Sequence, residues 1–175
     1  GKEQGGDSYF QSERTAIYVR ALARLIDSKA VYPCFCTPEE LEAAREAQRL
    51  AGLPPRYDGR CRSRSSADAA QQRSTGSPFI WRLRCPAEAL TVVTLERGEM
   101  TFDMSHFYDI PLTRSDGSFT FLFANCVDDC EMGITHIIRG DDHLNNMPLQ
   151  VVLYRALGCT PPVFAHLPLI CNSEG

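Results

Sequence analysis

The sequence predicts an α/β protein with a smaller lobe inserted into it. Its elements follow the order helix, β-rich middle and β-α-β unit. The clearest part is 134–158, where the β-branched run Ile134–Ile138 predicts a buried strand, followed by a polar elbow and a helically spaced segment. A strand, a helix and a further strand in this order form the unit from which parallel sheets are built.

The overall composition is that of an ordinary globular protein. The 175 residues are 43% hydrophobic and 23% charged, with a formal net charge of −4, which allows one core or a core with a small lobe. No apolar run approaches the roughly 20 residues of a membrane-spanning helix, and the first residues do not resemble a secretory leader. We therefore expect a cytoplasmic protein with no membrane association. The mildly acidic total also argues against a general polyanion-binding protein.

The first half of the chain contains two predicted helices and a long loop. Ser12 is the expected N-cap of a helix that ends near residue 29, and the extended segment Val31–Cys36 follows it. The second helix begins with Thr37-Pro38-Glu39-Glu40, which offers an N-cap, a proline at the first helical position and a glutamate at N3. Its charged faces predict a surface helix that stops at Gly52. Residues 54–76 contain few apolar side chains and are predicted to be a loop.

From Pro78 onward the pattern is mostly β. Short apolar runs separated by turn signals predict strands at 79–84, 91–95, 100–103, 107–112, 119–127 and 163–170. The exception is the helix predicted from Leu144 to Leu157, which Gly158 should end. Asp128 and Asp129 follow the 119–127 run, and adjacent residues on a strand point to opposite faces. A turn or helix-cap role is therefore favoured for them over a joint acid/base role.

The polar elbow after Ile138 is a candidate ligand site. In open α/β sheets ligands bind at the carboxyl ends of strands, where Arg139, Asp141, Asp142 and His143 would gather, with Asn125 at the end of the preceding predicted strand. Arginine suits a carboxylate and aspartate suits an ammonium group, so a small zwitterion or a nucleotide fits this set. A salt-bridged loop that only caps the helix explains the same residues equally well. The elbow is too short and too poor in glycine for a P-loop.

Three of the eight cysteines form a candidate metal site. Cys34 and Cys36 are one residue apart, Cys61 follows, and Tyr57 is the candidate fourth ligand of a zinc ion, with Asp58 or water as alternatives. Three reduced thiols without a metal are the other interpretation. The remaining cysteines are scattered in apolar segments and are expected to be buried thiols rather than a disulfide framework: Cys85, Cys126, Cys130, Cys159 and Cys171.

A basic stretch overlaps the candidate metal site. Five arginines face only two aspartates between residues 56 and 73, which gives a local charge of +3: Arg56, Arg60, Arg62, Arg64 and Arg73. Arginine pairs well with phosphate oxygens, so this stretch is a candidate nucleic-acid contact. A solvated surface loop is the alternative interpretation.

Several motifs together resemble bacterial glutamyl-tRNA synthetases. They are TPEELEAAREAQRLAGLPPRYDGRCR, LTRSDGS, FAHLPLI and, most specific, VDDCEMGITHIIRGDDH, and the resemblance extends from about Gly6 to Gly175. It implies a partial Rossmann-type class I synthetase catalytic domain with an inserted α+β lobe that binds the tRNA acceptor stem. The lobe would be 31–115, and the flanks 1–30 and 116–175 would belong to the catalytic domain.

The resemblance also implies a function. The family activates L-glutamate with ATP and Mg²⁺ and transfers it to the 3′ end of tRNA(Glu). By motif match, Arg139 and Asn125 would contact glutamate, and Asp142 and His143 would lie on the amino acid and ATP side of the pocket. Phe121 occupies a position where the family commonly has a tyrosine, whose hydroxyl helps to hold the substrate carboxylate. The matched zinc ligands are Cys34, Cys36, Tyr57 and Cys61; Ser63 stands where some relatives have a histidine, which favours Tyr57.

No catalytic residue is assigned, because the HIGH-type and KMSKS-type motifs of the family are not found in the chain. We expect an internal fragment, inactive alone, of a monomeric cytoplasmic parent. Two alternatives stay open. One is a fragment of the shorter relative that glutamylates queuosine in tRNA(Asp), and the other is a non-catalytic, zinc-stapled tRNA-binding module. The length of the parent protein would distinguish the queuosine-modifying relative from a full synthetase. Salt-dependent RNA binding without glutamate binding would support the tRNA-binding module.

Overall fold

The structure, a computed structural model, describes residues 9–168. Within these residues there are five α-helices, α1 Thr15–Asp27, α2 Pro38–Leu50, α3 Ser66–Ser74, α4 Phe121–Met132 and α5 Met147–Ala156. The strands of the same part are β1 Val31–Cys34, β2 Ile80–Leu83, β3 Leu90–Thr94, β4 Gly98–Phe102, β5 His136–Gly140 and β6 Val163–Leu167. The expected lead-in at 1–7, Cys171 and the last two residues of the predicted strand 163–170 lie outside the described residues.

The described strands form two sheets. β1 and β2 pair antiparallel, and a four-stranded sheet has the order β4-β3-β6-β5. In that sheet β3 and β4 form an antiparallel hairpin, whereas β6 is parallel to both β3 and β5. The unit β5-α5-β6 confirms the predicted β-α-β order and the α/β class.

The larger of two clusters of buried apolar side chains in the described residues joins α1, α4 and α5 to both sheets. Its buried side chains come from α1, α4 and α5 and from the β-rich middle, and include Leu25, Leu83, Leu112, Phe123 and Tyr154. The β3–β4 hairpin, from the middle segment, also shares a sheet with β6. The division into residues 1–30, 31–115 and 116–175 stays a prediction. None of the helices in the described part of the chain is long and apolar enough to cross a membrane.

The strand predicted at 119–127 is wrong, because this segment is the helix α4. Thr120 is its extended N-cap, and Gly133 ends it in a left-handed conformation with φ +63°. Phe123, Ala124 and Val127 are buried, as expected for one face of a helix. A short apolar run has no periodicity that separates a buried helix from a buried strand, which explains the error.

Four other segments differ from the prediction. The loop predicted at 54–76 contains α3, with the Ser65 hydroxyl accepting a hydrogen bond from the Asp68 amide. The predicted strand 107–112 makes one isolated bridge, Arg82 to Pro111, where proline has no N–H to extend a ladder. Two helices start later than predicted because a 3-10 turn precedes each of them. Helix α1 starts at Thr15 after the turn Gln11–Glu13. Helix α5 starts at Met147 after the turn Asp141–Asn146. The predicted capping box of α2, with Thr37 and Glu40, is confirmed.

Candidate functional site

A cavity of about 340 Å³ lies between α4, β5 and the start of α5. Four of the five predicted substrate-binding residues line it: Phe121, Asn125, Arg139 and His143. The predictions missed five other lining residues: Leu122, Asp129, Ile137, Asn146 and Gln150. Phe121, Asn125 and Asp129 follow helical spacing, so assigning this segment to a helix would have brought Asp129 into the predicted site.

Arg139 is the positive charge of this cavity. It lies on β5, opposite His166 of β6, and its Nε donates a hydrogen bond to His166 Nε2 at 3.1 Å. Its Nη2 donates to the backbone oxygen of His143 at 3.2 Å, and its guanidinium carbon lies 5.3 Å from the centre of the Phe164 ring. Burial lowers the pKa of Arg139 from its ordinary value, yet an arginine remains charged at neutral pH. Two of its five N–H donors are therefore engaged within the described residues, and the others are open to a ligand.

The two adjacent aspartates of α4 face different neighbours. Asp128 accepts hydrogen bonds from Arg14 Nε at 2.7 Å and from the Tyr18 hydroxyl at 2.9 and 3.0 Å, both on the α1 side. Asp129 lines the cavity and accepts a 2.5 Å hydrogen bond from the Tyr154 hydroxyl of α5. The predicted turn or cap role is wrong, because both aspartates lie within α4. Adjacent positions on a helix are about 100° apart, so Asp128 reaches the α1 side and Asp129 reaches α5.

Electrostatically, the cavity is lined by one arginine, Arg139, and one carboxylic acid, Asp129. Burial raises the pKa of Asp129, while the Tyr154 hydrogen bond and the Arg139 charge act in the opposite direction. Asn125 presents an amide beside them, and its Oδ1 accepts a hydrogen bond from Gln11 Nε2 at 3.0 Å. A cation, a carboxylate and an amide in one small cavity suit a ligand that carries both carboxylate and ammonium groups.

Two of the predicted elbow residues do not line the cavity. Asp141 pairs with Arg97 Nη2 at 2.6 Å instead, across the sheet at the tip of the β3–β4 hairpin. Among the described residues, Asp142 does not line the cavity either; its carboxylate lies 3.6 Å from His143 Nε2, and both side chains are exposed. Phe121 is the first residue of α4, lines the cavity and is 68% exposed.

The predicted metal ligands also come together. The Sγ atoms of Cys34, Cys36 and Cys61 all lie within 4.8 Å of one another, with 3.6 Å between Cys36 and Cys61. A tetrahedral zinc ion with Zn–S bonds of about 2.3 Å places its sulfurs roughly 3.8 Å apart, so this spacing fits zinc. The Tyr57 hydroxyl lies 3.4 Å from Cys34 Sγ and accepts a hydrogen bond from the Cys61 amide at 3.1 Å.

The surroundings of these thiols shift their ionisation in opposite directions. Burial opposes ionisation of Cys34, but hydrogen bonds from Tyr57, the Cys36 backbone and Arg82 lower its pKa overall. Burial and the neighbouring thiols raise the pKa of Cys36 to about 12. The alternative ligand Asp58 is already paired with Arg60 at 2.8 Å. The three thiol groups around a shared centre suit zinc, whereas burial raises the pKa of the Tyr57 phenol and opposes its ionisation as a fourth ligand.

The predicted RNA-binding arginines are held by protein contacts beside this cluster. Arg60 pairs with Asp58, Arg62 donates to Asp109 at 2.5 Å, Arg56 donates to the Ser105 oxygen at 2.7 Å, and Arg64 donates to Gln72 at 2.5 Å. Arg56 and Arg62 line a second cavity of about 420 Å³, together with Tyr57 and Tyr108. The arginines are therefore ordered on a folded surface, and their contact with RNA stays a prediction.

Two cysteines that were expected to be unpaired form a disulfide. Cys130 near the end of α4 bonds Cys159 just after α5, with 6.0 Å between their Cα atoms. Packing of the helices brings together residues 29 positions apart, which spacing in the sequence does not reveal. Cys85 and Cys126 are buried free thiols as expected, and burial raises the pKa of each to about 12.

Comparisons with known proteins agree with one another. Residues 2–175 match the family described as "tRNA synthetases class I (E and Q), catalytic domain". A glutamate–tRNA ligase 2 of Alkalilimnicola ehrlichii is 43% identical over 178 residues, covering 100% of this chain and 37% of the relative. The glutamate–tRNA ligase of Aquifex aeolicus is 46% identical over 168 residues, covering 95% and 35% of the two chains.

Solved structures give the same result. The glutamate-tRNA synthetase of Elizabethkingia anophelis superposes with a TM-score of 0.89 at 34% identity and covers 99% of this chain. A glutamate tRNA ligase from Elizabethkingia meningosepticum, described as in complex with its amino acid, has a TM-score of 0.88 at 34% identity. The chain spans about 37% of the length of the curated and solved relatives.

Proposed function

The chain belongs to the class I tRNA synthetases for glutamate and glutamine, and we propose that the whole protein activates L-glutamate with ATP and Mg²⁺ and transfers it to the 3′ end of tRNA(Glu). The names of the most similar relatives support glutamate as the amino acid. The observation that carries the proposal is Arg139, fixed at the end of β5 with free N–H donors in a cavity of amino acid size.

The cavity lining suggests how glutamate would bind. Arg139 offers a bidentate partner for one carboxylate, Asn125 adds a polar contact, and Asp129 attracts the ammonium group. Asp142 and His143 lie in the 3-10 turn that follows β5 and would face the ATP side. Phe121 adds apolar surface but no hydroxyl, so glutamate loses a hydrogen bond that a tyrosine at this position could donate.

Zinc binding is part of the proposal. Cys34, Cys36 and Cys61 would hold the ion, with Tyr57 at the fourth position, and the ion would join the end of β1 to the loop at 57–61. Such a zinc ion is structural, since four protein ligands leave no open position for a substrate. Metal analysis of protein purified without chelators should find one zinc per chain, and Cys36→Ser should lose it while Cys85→Ala keeps it. Absence of zinc from the unaltered protein would remove the site.

The surface beside the cysteine cluster is the proposed contact with the tRNA acceptor end. Arg56, Arg60, Arg62 and Arg64 are partly exposed there, and a guanidinium can add a phosphate contact to its protein contact. Binding through these residues should weaken steeply with salt. A cytoplasmic location and a monomeric state stay predictions.

The test offers the whole protein tRNA(Glu) and tRNA(Asp) side by side with labelled glutamate and ATP. Glutamate attached by an ester at the 3′ end of tRNA(Glu) supports the proposal. Glutamate found only on queuosine-containing tRNA(Asp) would assign the protein to the modification reaction. Binding of acceptor-stem RNA without any glutamylation would indicate a binding module instead.

A further inference from the structure

A buried histidine lies directly behind the proposed glutamate-binding arginine. The His166 side chain is 0% exposed, and its Nε2 accepts the hydrogen bond from Arg139 Nε at 3.1 Å. Its ring is parallel to the Phe164 ring, with 10° between the planes and 6.1 Å between the ring centres. The same Phe164 ring lies beneath the Arg139 guanidinium. His166 therefore holds the Nε side of the Arg139 guanidinium but does not itself line the cavity.

Accepting this hydrogen bond requires one protonation state of His166. If Nε2 accepts, the ring is neutral and its proton is on Nδ1. Within the described residues Nδ1 has no hydrogen-bond partner, but Glu96 Oε1 lies 3.9 Å from it. The Glu96 carboxylate also accepts a 2.9 Å hydrogen bond from the His166 backbone amide. Glu96 thus holds the histidine in place and favours the proton on Nδ1.

Glu96 belongs to a turn that contacts the strands around the candidate site at two points. It lies between β3 and β4, where Leu95 N donates to the Phe164 oxygen at 2.9 Å. Arg97, the next residue, pairs with Asp141 at 2.6 Å, directly after β5. The tip of the β3–β4 hairpin therefore contacts both β6 and the segment that follows Arg139.

We propose that His166, held by Glu96 at the hairpin tip, is a positioning residue that orients the Arg139 guanidinium for glutamate. This inference rests on the proposed function, because it assigns no role to His166 unless Arg139 binds the substrate. His166 engages Nε and the His143 carbonyl engages Nη2, so the remaining N–H groups have a fixed direction. A guanidinium that is fixed before binding loses less entropy when it pairs with a carboxylate.

The charged groups around His166 define how this contact depends on pH. Arg139 and Arg97 disfavour the imidazolium form, whereas Glu96 and Asp141 favour it; burial and Arg139 together lower the pKa of His166. Protonation would replace the acceptor at Nε2 with a donor that faces a cation. Glutamate affinity should therefore fall at acidic pH as His166 becomes protonated.

The experiment uses the whole protein and measures KM for glutamate, with tRNA and ATP saturating, together with the equilibrium Kd of glutamate. His166→Phe keeps the ring volume but removes the acceptor, so KM and Kd for glutamate should rise by about tenfold or more, while KM for ATP changes little. His166→Gln, which restores an acceptor oxygen, should recover part of the affinity. His136→Phe, at an exposed histidine of β5, is the matched control and should have no effect.

The pH profile separates positioning from simple packing. Glu96→Gln keeps an acceptor for the His166 amide but removes the negative charge that favours the imidazolium form. The acidic limb of kcat/KM for glutamate should therefore move to lower pH in this variant. If unaltered protein charges tRNA and Arg139→Ala loses glutamate affinity, but His166→Phe and Glu96→Gln change neither affinity nor profile, the positioning role is wrong while the proposed function stands. If unaltered protein does not use glutamate, the proposed function itself fails.

Discussion

Asp128 of α4 accepts a 2.7 Å hydrogen bond from Nε of Arg14, which immediately precedes α1, and the two side chains are 12% and 5% exposed. The Tyr18 hydroxyl donates to the same carboxylate. This buried pair joins two residues that are 114 positions apart in sequence, one just before α1 and the other in α4. Since α4 also presents Asn125 and Asp129 to the cavity, the pair sets where the candidate site lies relative to α1.

Loss of the Asp128 carboxylate should be strongly destabilising. In Asp128→Ala, Arg14 and Tyr18 lose the buried carboxylate to which both donate, and breaking a buried ion pair costs about 3–5 kcal/mol of unfolding free energy. Denaturant unfolding measures the change. Glu131→Ala is the matched control, because Glu131 pairs with Arg24 at 3.8 Å on the surface and should lose less than about 1 kcal/mol. Equal losses in both variants would contradict the buried role.

Tyr154→Phe should raise the pKa of Asp129. The tyrosine hydroxyl donates to this carboxylate and stabilises its charged form, against the burial that raises its pKa. A pKa raised in the folded state means that stability falls as pH increases from the unfolded value toward the folded one. The variant should therefore show a larger loss of stability across that range. NMR titration of the Asp129 carboxyl measures the shift, and an unchanged or lower pKa would contradict the assigned contact.

Reduction of the Cys130–Cys159 disulfide should lower the melting temperature. The bond closes a loop of 29 residues, for which chain entropy predicts a stabilisation of about 3–4 kcal/mol. Thermal unfolding with and without dithiothreitol checks this expectation. Cys159→Ser should melt at the same temperature under both conditions, whereas Cys85→Ala should keep the response to the reductant. A response that persists in Cys159→Ser would place the sensitive bond elsewhere.

Phe121→Tyr should increase the affinity of the whole protein for glutamate. Phe121 lines the cavity at the start of α4, and a hydroxyl there can donate a hydrogen bond worth about 0.5–1.5 kcal/mol to a substrate carboxylate. KM for glutamate should fall by about two- to tenfold. Phe107→Tyr adds the same hydroxyl outside this cavity and should leave KM unchanged. If both variants behave like the unaltered protein, Phe121 does not contact the substrate.

The sequence motifs predicted the family and the α/β class, and both are confirmed. The capping signature at Thr37 predicted the start of α2 because it depends on neighbouring residues alone. The β-branched run before Arg139 predicted a strand, but the strand is His136–Gly140 and is not buried, with Ile138 65% exposed. The apolar run at 119–127 carried no such signal, so Asn125 was placed at a strand end although it lies on α4. Phe121 and Asn125 do line the cavity, but the element predicted to carry them was wrong.

The missing parts of the site depend on contacts between distant residues. Tyr154 with Asp129 and Glu96 with His166 are joined only by the packing of helices and the order of strands in the sheet. The Cys130–Cys159 pair has the same origin. Periodicity and spacing describe neighbours along the chain, so these contacts had no signal in one sequence. The cysteine cluster was predicted from the spacing of Cys34, Cys36 and Cys61 along the chain, and the motif match then favoured the same ligands.

The most direct test of the account is KM for glutamate in Arg139→Ala, measured by charging of tRNA(Glu) with the whole protein. The account predicts an increase of about a hundredfold or more, because a substrate carboxylate would lose a charged bidentate partner in a half-buried cavity. Arg20→Ala, an exposed arginine of α1, should have no effect. An unchanged KM for glutamate in Arg139→Ala, with charging of tRNA(Glu) intact, would contradict the assignment of this cavity as the glutamate site.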